Sequence, residues 1–228
     1  MSKPLIIFDC DGVLVDSEPL AAIAYERVYN KHGLALGRET VTQCIGMKQA
    51  DIIVRIEELT GLAFPPHASD DIWPETRALL ETELEPTRGI LPFLRNLETA
   101  RCVASSSSME RIELSLAVTG LSEFFADNVF STSMVKNGKP APDIFLFAAE
   151  KLGGEPSSSV VIEDSPFGVQ GAVAAGMTAI GFTGGSHTFD GHAEKLASAG
   201  AHAICSSWND IEAELVKRGF IHETVGEF

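Results

Sequence analysis

Short, mainly apolar runs recur along the chain at Leu5–Phe8, Cys102–Ser105, Asn128–Ser131, Val160–Ile162, Ala179–Phe182 and Ala203–Cys205, each bounded by polar residues or glycine. Runs of this length and bounding read as strands buried on both faces. From about Ala100 onward they alternate with segments of helical period: Met109–Val118, Ile144–Leu152, Gly168–Ala175, Ala193–Ser198 and Ile211–Lys217. Strand alternating with helix predicts βαβ units. The expected fold is therefore α/β, a Rossmann-like, mainly parallel sheet with helices on both faces.

Residues 16–86 follow a different pattern. Leu20, Ile23, Ala24, Val28 and Lys31 recur at helical spacing, as do Ile52, Ile53, Ile56 and Leu59, and then Ile72, Ala78 and Leu79. No strand pattern interrupts them, so this stretch predicts a small all-helical insert after the first strand. Asp16 or Ser17 is placed to cap its first helix, with Glu18 favourable in the first turn. Pro86 and Gly89 punctuate its end. The expected organisation is a sheet domain of 1–15 and 87–228, with a helical cap of 16–86.

The chemistry gathers at the strand ends. Asp9 and Asp11 flank Cys10 where the first strand stops, and Gly12 follows. The carboxyl end of a parallel strand is where such sheets bind ligands. If the chain stays extended there, the two carboxylates lie on one side. They then repel unless a cation sits between them, and hard, oxygen-preferring Mg²⁺ fits that need. One carboxylate is left to attack phosphorus and the other to move protons. Val160–Ile162 ends likewise in Glu163 and Asp164. Asp164 is the expected direct metal ligand; Glu163 is either a second ligand or a partner of metal-bound water. Ser105 and Ser106 open a Ser-rich turn before a helix, a place for an anion as well as a simple cap. Lys139 lies between Gly138 and Pro140, with Lys136 close by; its ammonium could bridge a phosphate and Asp9.

Composition narrows the partners. The formal net charge of the 228 residues is −15, a field that repels nucleic acid and anionic membrane but leaves room for a small anion beside a metal ion. Cys10, Cys44, Cys102 and Cys205 form no CxxC pair and have no zinc-type spacing. They read as free thiols of a reducing compartment. The amino terminus lacks a signal-peptide pattern and no apolar run reaches membrane length. The chain is thus expected to be cytoplasmic, acting as a monomer or weak homodimer on a small metabolite.

Taken in order, these segments resemble the haloacid dehalogenase superfamily. Asp9-Cys10-Asp11-Gly12-Val13 is similar to its first motif, Ser105 to the second, Lys139 to the third and Glu163-Asp164 to the fourth. The 16–86 insert resembles that family's cap. The resemblance implies a Mg²⁺-dependent phosphatase in which Asp9 becomes an aspartyl-phosphate and Asp11 is the general acid/base. It also implies that Asp9, the Asp11 main-chain carbonyl and Asp164 hold the metal with Glu163 in support. Ser105, the Ser106 N–H and Lys139 would hold the phosphoryl group. The superfamily's dehalogenases lack an acid at the position of Asp11. β-Phosphoglucomutases carry a cap His and Arg where this chain has Ala21 and Gln49. A hydrolase is therefore expected before a mutase, and either before a non-catalytic phosphate binder. The stretch Leu14–Glu18 is similar to bacterial sugar-phosphate phosphatases, the 6-phosphogluconate type included. In the insert, Glu18, Lys48 and Gln49 are the candidates for touching the organic part, with Lys48 equally readable as a surface lysine. The histidines show no ligand spacing and are read as structural or exposed.

Overall fold

The computed structural model describes residues 3–44, 47 and 49–222. Six strands, β1 (Leu5–Phe8), β2 (Ala100–Ser105), β3 (Val129–Ser131), β4 (Ser159–Glu163), β5 (Thr178–Phe182) and β6 (Ala203–Cys205), form one sheet in the order β3-β2-β1-β4-β5-β6. Every pairing is parallel. All six lie where the apolar runs placed them; β2 begins two residues earlier, at Ala100. The chain runs outward from β1 through β2 to β3, then returns to the other side of β1 as β4. That reversal is the switch point at which open parallel sheets bind ligands.

Alternation along the strands sorts the core into two layers. Ile6, Phe8, Val103, Ile162 and Phe182 face one side, where α5 (Ile90–Asn96), α6 (Met109–Val118) and α10 (Trp208–Lys217) cover them. Leu5, Ile7, Cys102, Ala104 and Val161 face the other, under α7 (Asp143–Leu152), α8 (Pro166–Ala174) and α9 (His192–Ser198). Phe8 is fully buried and packs edge-on against Phe93 and Phe125. A side chain of that size stabilises the fold by about 2–3 kcal/mol when removed from water. Helix α5 was not legible in the sequence. It has seven residues and carries Pro92 in its first turn, where the missing N–H has no helical partner in any case.

Between β1 and α5 the chain forms α1 (Glu18–Lys31), α2 (Arg38–Thr42), α3 (Gln49–Thr60), a 3₁₀ turn at Pro66–Asp71 and α4 (Ile72–Glu83). A third apolar cluster draws its buried members only from 22–72, with Tyr29 stacked on Phe64 at 4.2 Å between ring centroids. The two passages into and out of this stretch run side by side. Asp16 N donates to Glu85 O at 3.0 Å and Thr87 N to Leu14 O at 3.0 Å. The Thr87 hydroxyl donates to Val13 O at 2.6 Å and accepts from Trp208 Nε1 at 3.0 Å, tying the return to α10.

The expected cap at the start of α1 takes another form. Ser17 precedes the helix, but its side chain makes no capping bond and instead donates to Asp11 Oδ1 at 2.6 Å. Asp16 Oδ1 accepts from Ser186 N at 3.0 Å. The serine rotamer is set by donation of the hydroxyl proton to a buried carboxylate, a charge-assisted bond stronger than a neutral cap bond. The four cysteines are free and buried. No helix among the described residues is long and apolar enough to cross a membrane.

Candidate active site

The register of β1 decides which groups meet. Phe8 pairs with Val103 on β2 and Ile162 on β4, so the next residue along each strand brings Asp9, Ala104 and Glu163 to one edge. Asp9 N donates to Ile162 O at 3.0 Å, which anchors the nucleophile candidate to β4. The chain then turns at Cys10 rather than staying extended. The Asp11 carboxylate therefore does not converge with that of Asp9 on one small cation site, as an extended chain would have placed it. Among the described residues the compact acidic group is Asp9, Glu163 and Asp164, with carboxylate oxygens all within 4.8 Å of one another.

Lys139 is the counter-charge to this group. Its Nζ donates to Asp9 Oδ1 at 2.6 Å, Glu163 Oε1 at 2.5 Å and Ala104 O at 3.0 Å, and the side chain is 2% exposed. Burial opposes the ammonium, but Asp9 and Glu163 hold it above the ordinary lysine range. Burial pushes Asp9 well up, against the pull of Lys139, and Glu163 and Asp164 push it the same way. Three carboxylates facing one ammonium leave an excess of negative charge. Glu163 is fully engaged: Oε2 accepts from Ser165 N and Oγ, both at 3.0 Å. Burial still raises its pKa.

A divalent cation fits this donor set. All three groups are hard oxygen donors of the kind Mg²⁺ takes. Asp164 Oδ2 is buried with no aligned hydrogen-bond partner, an orphan that costs about 1–3 kcal/mol unless something pairs with it. His187 Nε2 is 2.9 Å from it, but out of line for a hydrogen bond. Gly12 makes the approach possible. Its φ is +74°, and a Cβ there would sit 1.9 Å from Asp164 Oδ2. Gly12→Ala is expected to cost at least about 2 kcal/mol, from left-handed strain and overlap together. If Mg²⁺ raises the melting temperature of the wild type, the variant is expected to lose that rise. A variant with an unchanged Mg²⁺ shift would contradict this placement of Asp164.

Asp11 lies on the other side of the same pocket, in a separate cradle. Its Oδ1 accepts from Ser17 Oγ and from Arg111 Nη2 at 2.7 Å, and its Oδ2 from Ser107 Oγ at 2.5 Å. Burial works to raise its pKa, but the Arg111 guanidinium and the two hydroxyls outweigh it and hold the carboxyl below its usual range. Ser106 lines the same pocket as the two carboxylates, and Ser105 Oγ accepts from Ser107 N at 3.1 Å. Ser108 caps α6, accepting from Arg111 N at 3.3 Å. Glu18, the first residue of α1, lines the pocket; burial, and next Asp11 and Asp164, push its carboxyl up to about 7. Lys48 lies outside the described residues. Gln49 opens α3, and its side chain is likewise outside what is described.

Four side chains here escaped the sequence reading: Ser17, Ser107, Arg111 and His187. The Gly184-Gly185 pair was a usable signal for His187, since a Cβ at Gly185 would lie 2.6 Å from the His187 ring. The signal for Arg111 was a cation in the first turn of a helix, against the dipole. His192 is buried as well, with Nε2 2.7 Å from the Asp164 carbonyl oxygen.

Known proteins share this frame. Residues 3–176 match the haloacid dehalogenase-like hydrolase family. The fructose-1-phosphate phosphatase YqaB of Escherichia coli (strain K12) is 34% identical over 178 residues, 77% of this chain and 94% of that protein. The 6-phosphogluconate phosphatase of the same organism is 27% identical over 184 residues, 80% of this chain and 83% of that protein. A crystal structure of a conserved haloacid dehalogenase-like protein of unknown function from Agrobacterium tumefaciens str. C58 superposes with a TM-score of 0.84 at 37% identity, covering 95% of this chain and 99% of that one. The chain belongs to the haloacid dehalogenase-like hydrolase family and is an enzyme of its phosphoric monoester hydrolase type.

Proposed function

We propose that the chain is a Mg²⁺-dependent phosphatase of a small phosphorylated sugar or sugar acid, acting through phosphoryl transfer to Asp9. The observation that carries this reading is the division of one pocket into two cradles. Asp9 sits with Lys139, Glu163 and Asp164 on one side, and Asp11 with Ser17, Ser107 and Arg111 on the other. A nucleophile and a proton-transfer group need such separate environments, because the two must differ in protonation during the reaction.

A carboxylate oxygen of Asp9 attacks phosphorus, the bond to the ester oxygen breaks, and Asp11 gives that oxygen its proton. Asp11 then takes a proton from water, whose oxygen attacks the aspartyl-phosphate, releasing inorganic phosphate and restoring Asp9. Asp11 as found is the carboxylate, the form suited to the second half. The first half needs its protonated form, so the Arg111 contact must loosen when substrate binds. Lys139 fixes the rotation of the Asp9 carboxylate through Oδ1 and, with Ser105 and the Ser106 N–H, holds the transferring group and offsets its charge. Asp9, Asp164 and the Asp11 main-chain carbonyl would hold Mg²⁺, with Glu163 behind them, and the ion supplies charge neutralisation at the phosphoryl oxygens when bound.

Residues 16–86 serve as a cap that closes over the pocket and excludes water. Glu18 reaches the organic part from the cap; Lys48 and Gln49 are assigned the same role from their place in the chain. Ala21, which lines the pocket, offers no group to return a phosphoryl to sugar, which favours hydrolysis over mutase chemistry. The protein is taken to work in the cytoplasm as a monomer or weak homodimer. Phosphate release from a panel of sugar phosphates, sugar-acid phosphates, phosphoglycolate and nucleotides, with Mg²⁺ or with EDTA, tests the reading. Mg²⁺-dependent release from sugar-type esters is expected. Conversion of a hexose 1-phosphate to its 6-phosphate without dominant phosphate release would overturn it.

A further inference from the structure

Phosphoryl transfer leaves one buried charge in this site without a full account. Arg111 stands at the third position of α6, where a cation opposes the helix dipole. Its side chain is 20% exposed. Among the described residues the guanidinium makes one hydrogen bond, from Nη2 to Asp11, and its Nε is buried with no partner. A guanidinium carries five N–H donors in a rigid fork, and a buried donor without an acceptor is destabilising. One contact to Asp11 does not explain why an arginine is held here.

The position of Arg111 gives the explanation. It lines the acidic pocket and also the adjoining cavity between α6 and the helical insert, lined by Tyr25, Trp73, Thr76 and Thr132 among others. Asp11, which must face the scissile oxygen, lies on one side of its guanidinium. The room for the rest of the leaving group is the second cavity, which Arg111 lines and Asp11 does not. Among the described residues lining that second cavity Arg111 is the sole cation and none is a carboxylate. A planar fork with an unsatisfied Nε suits a planar carboxylate, which it can grip with two parallel bonds.

Resting on the phosphatase reading above, we infer that Arg111 reads a carboxylate on the leaving group. The preferred substrates are then phosphate esters of sugar acids rather than of neutral sugars. Binding of that carboxylate would also draw the guanidinium off Asp11, linking recognition to the freeing of the proton-transfer group.

The test compares 6-phosphogluconate with sorbitol 6-phosphate, open-chain esters of equal length that differ at C1 as carboxylate against hydroxymethyl. The wild-type enzyme should favour the first by about 100-fold in kcat/KM, the upper part of the range for a hydrogen-bonded contact to a charged group. In Arg111→Gln and Arg111→Ala both rates should fall, but the ratio should collapse to within a few-fold of one; Arg111→Lys should keep part of it. Arg77→Ala, which removes an exposed cation paired with Glu81 and Glu110, should leave the ratio unchanged. A merely structural role for Arg111 would lower both substrates together and preserve the ratio, and that result overturns the inference. So does a wild-type ratio near one, or a preference for a hexose bisphosphate over 6-phosphogluconate. If p-nitrophenyl phosphate and sorbitol 6-phosphate are cleaved in those cases, the phosphatase reading survives and only the carboxylate is lost. If no ester is cleaved, both fall.

Discussion

Asp9→Asn should lower kcat by at least about 10⁴-fold while leaving the protein folded, because an amide oxygen is too poor a nucleophile to form the acyl phosphate. The stability half of this expectation is as specific as the catalytic half. Asp9 is 7% exposed and its carboxyl is pushed well up by burial, so the resting fold gains little from its charge. The asparagine side-chain oxygen can still accept from Lys139, and Lys139 keeps Glu163 and the Ala104 carbonyl as partners. The melting temperature should therefore stay within a few degrees of wild type, or rise. Measured together, a dead and folded variant separates loss of the nucleophile from collapse of the site. Full activity in this variant would exclude covalent transfer through Asp9.

The sheet was legible because its strands are buried on both faces, and unbroken apolar runs between polar ends leave few other solutions. Position along those runs also placed Asp9 and Glu163 correctly, since parallel register carries residues one past Phe8 and Ile162 to the same edge. The site beyond the strand ends was harder to read. Asp11 was expected beside Asp9, yet the turn at Cys10 sends it to Ser17 and Ser107. Those are serines that local rules assign to helix caps and turns. Here tertiary contact with a buried carboxylate overrides the local preference. Arg111 and His187 lie 100 and 23 residues from their carboxylates by subtraction of residue numbers, so no local spacing rule applies. Their only sequence trace is a local misfit: a cation at the positive end of a helix, and a glycine pair making room for a ring.

Lys139→Ala should be the most destabilising single change in the site at neutral pH, by about 3–5 kcal/mol, the range for removing one member of a buried ion pair. Asp9 and Glu163 lose their shared cation and Asp164 remains beside them. The loss should depend on pH with a definite sign. Both carboxyls are raised in the folded chain even with Lys139 present, and without it they rise further. A carboxyl whose folded pKa exceeds its unfolded value binds its proton more tightly when folded. Its contribution is then complete below about pH 4 and is lost as pH climbs through the folded value. Lys139 in the wild type is held above the ordinary lysine range, so its own contribution stays constant across pH 5–8. The gap between variant and wild type should thus be small near pH 5 and wide at pH 8, in urea midpoints followed by far-UV circular dichroism. Millimolar Mg²⁺ should narrow the gap at pH 8 and EDTA restore it, since a divalent ion can supply the charge the lysine no longer gives. A deficit that is equal at both pH values, and indifferent to Mg²⁺, would mean that Lys139 acts through packing on Phe145, whose ring centroid lies 5.2 Å from its Nζ, and not as the counter-charge of this acidic group.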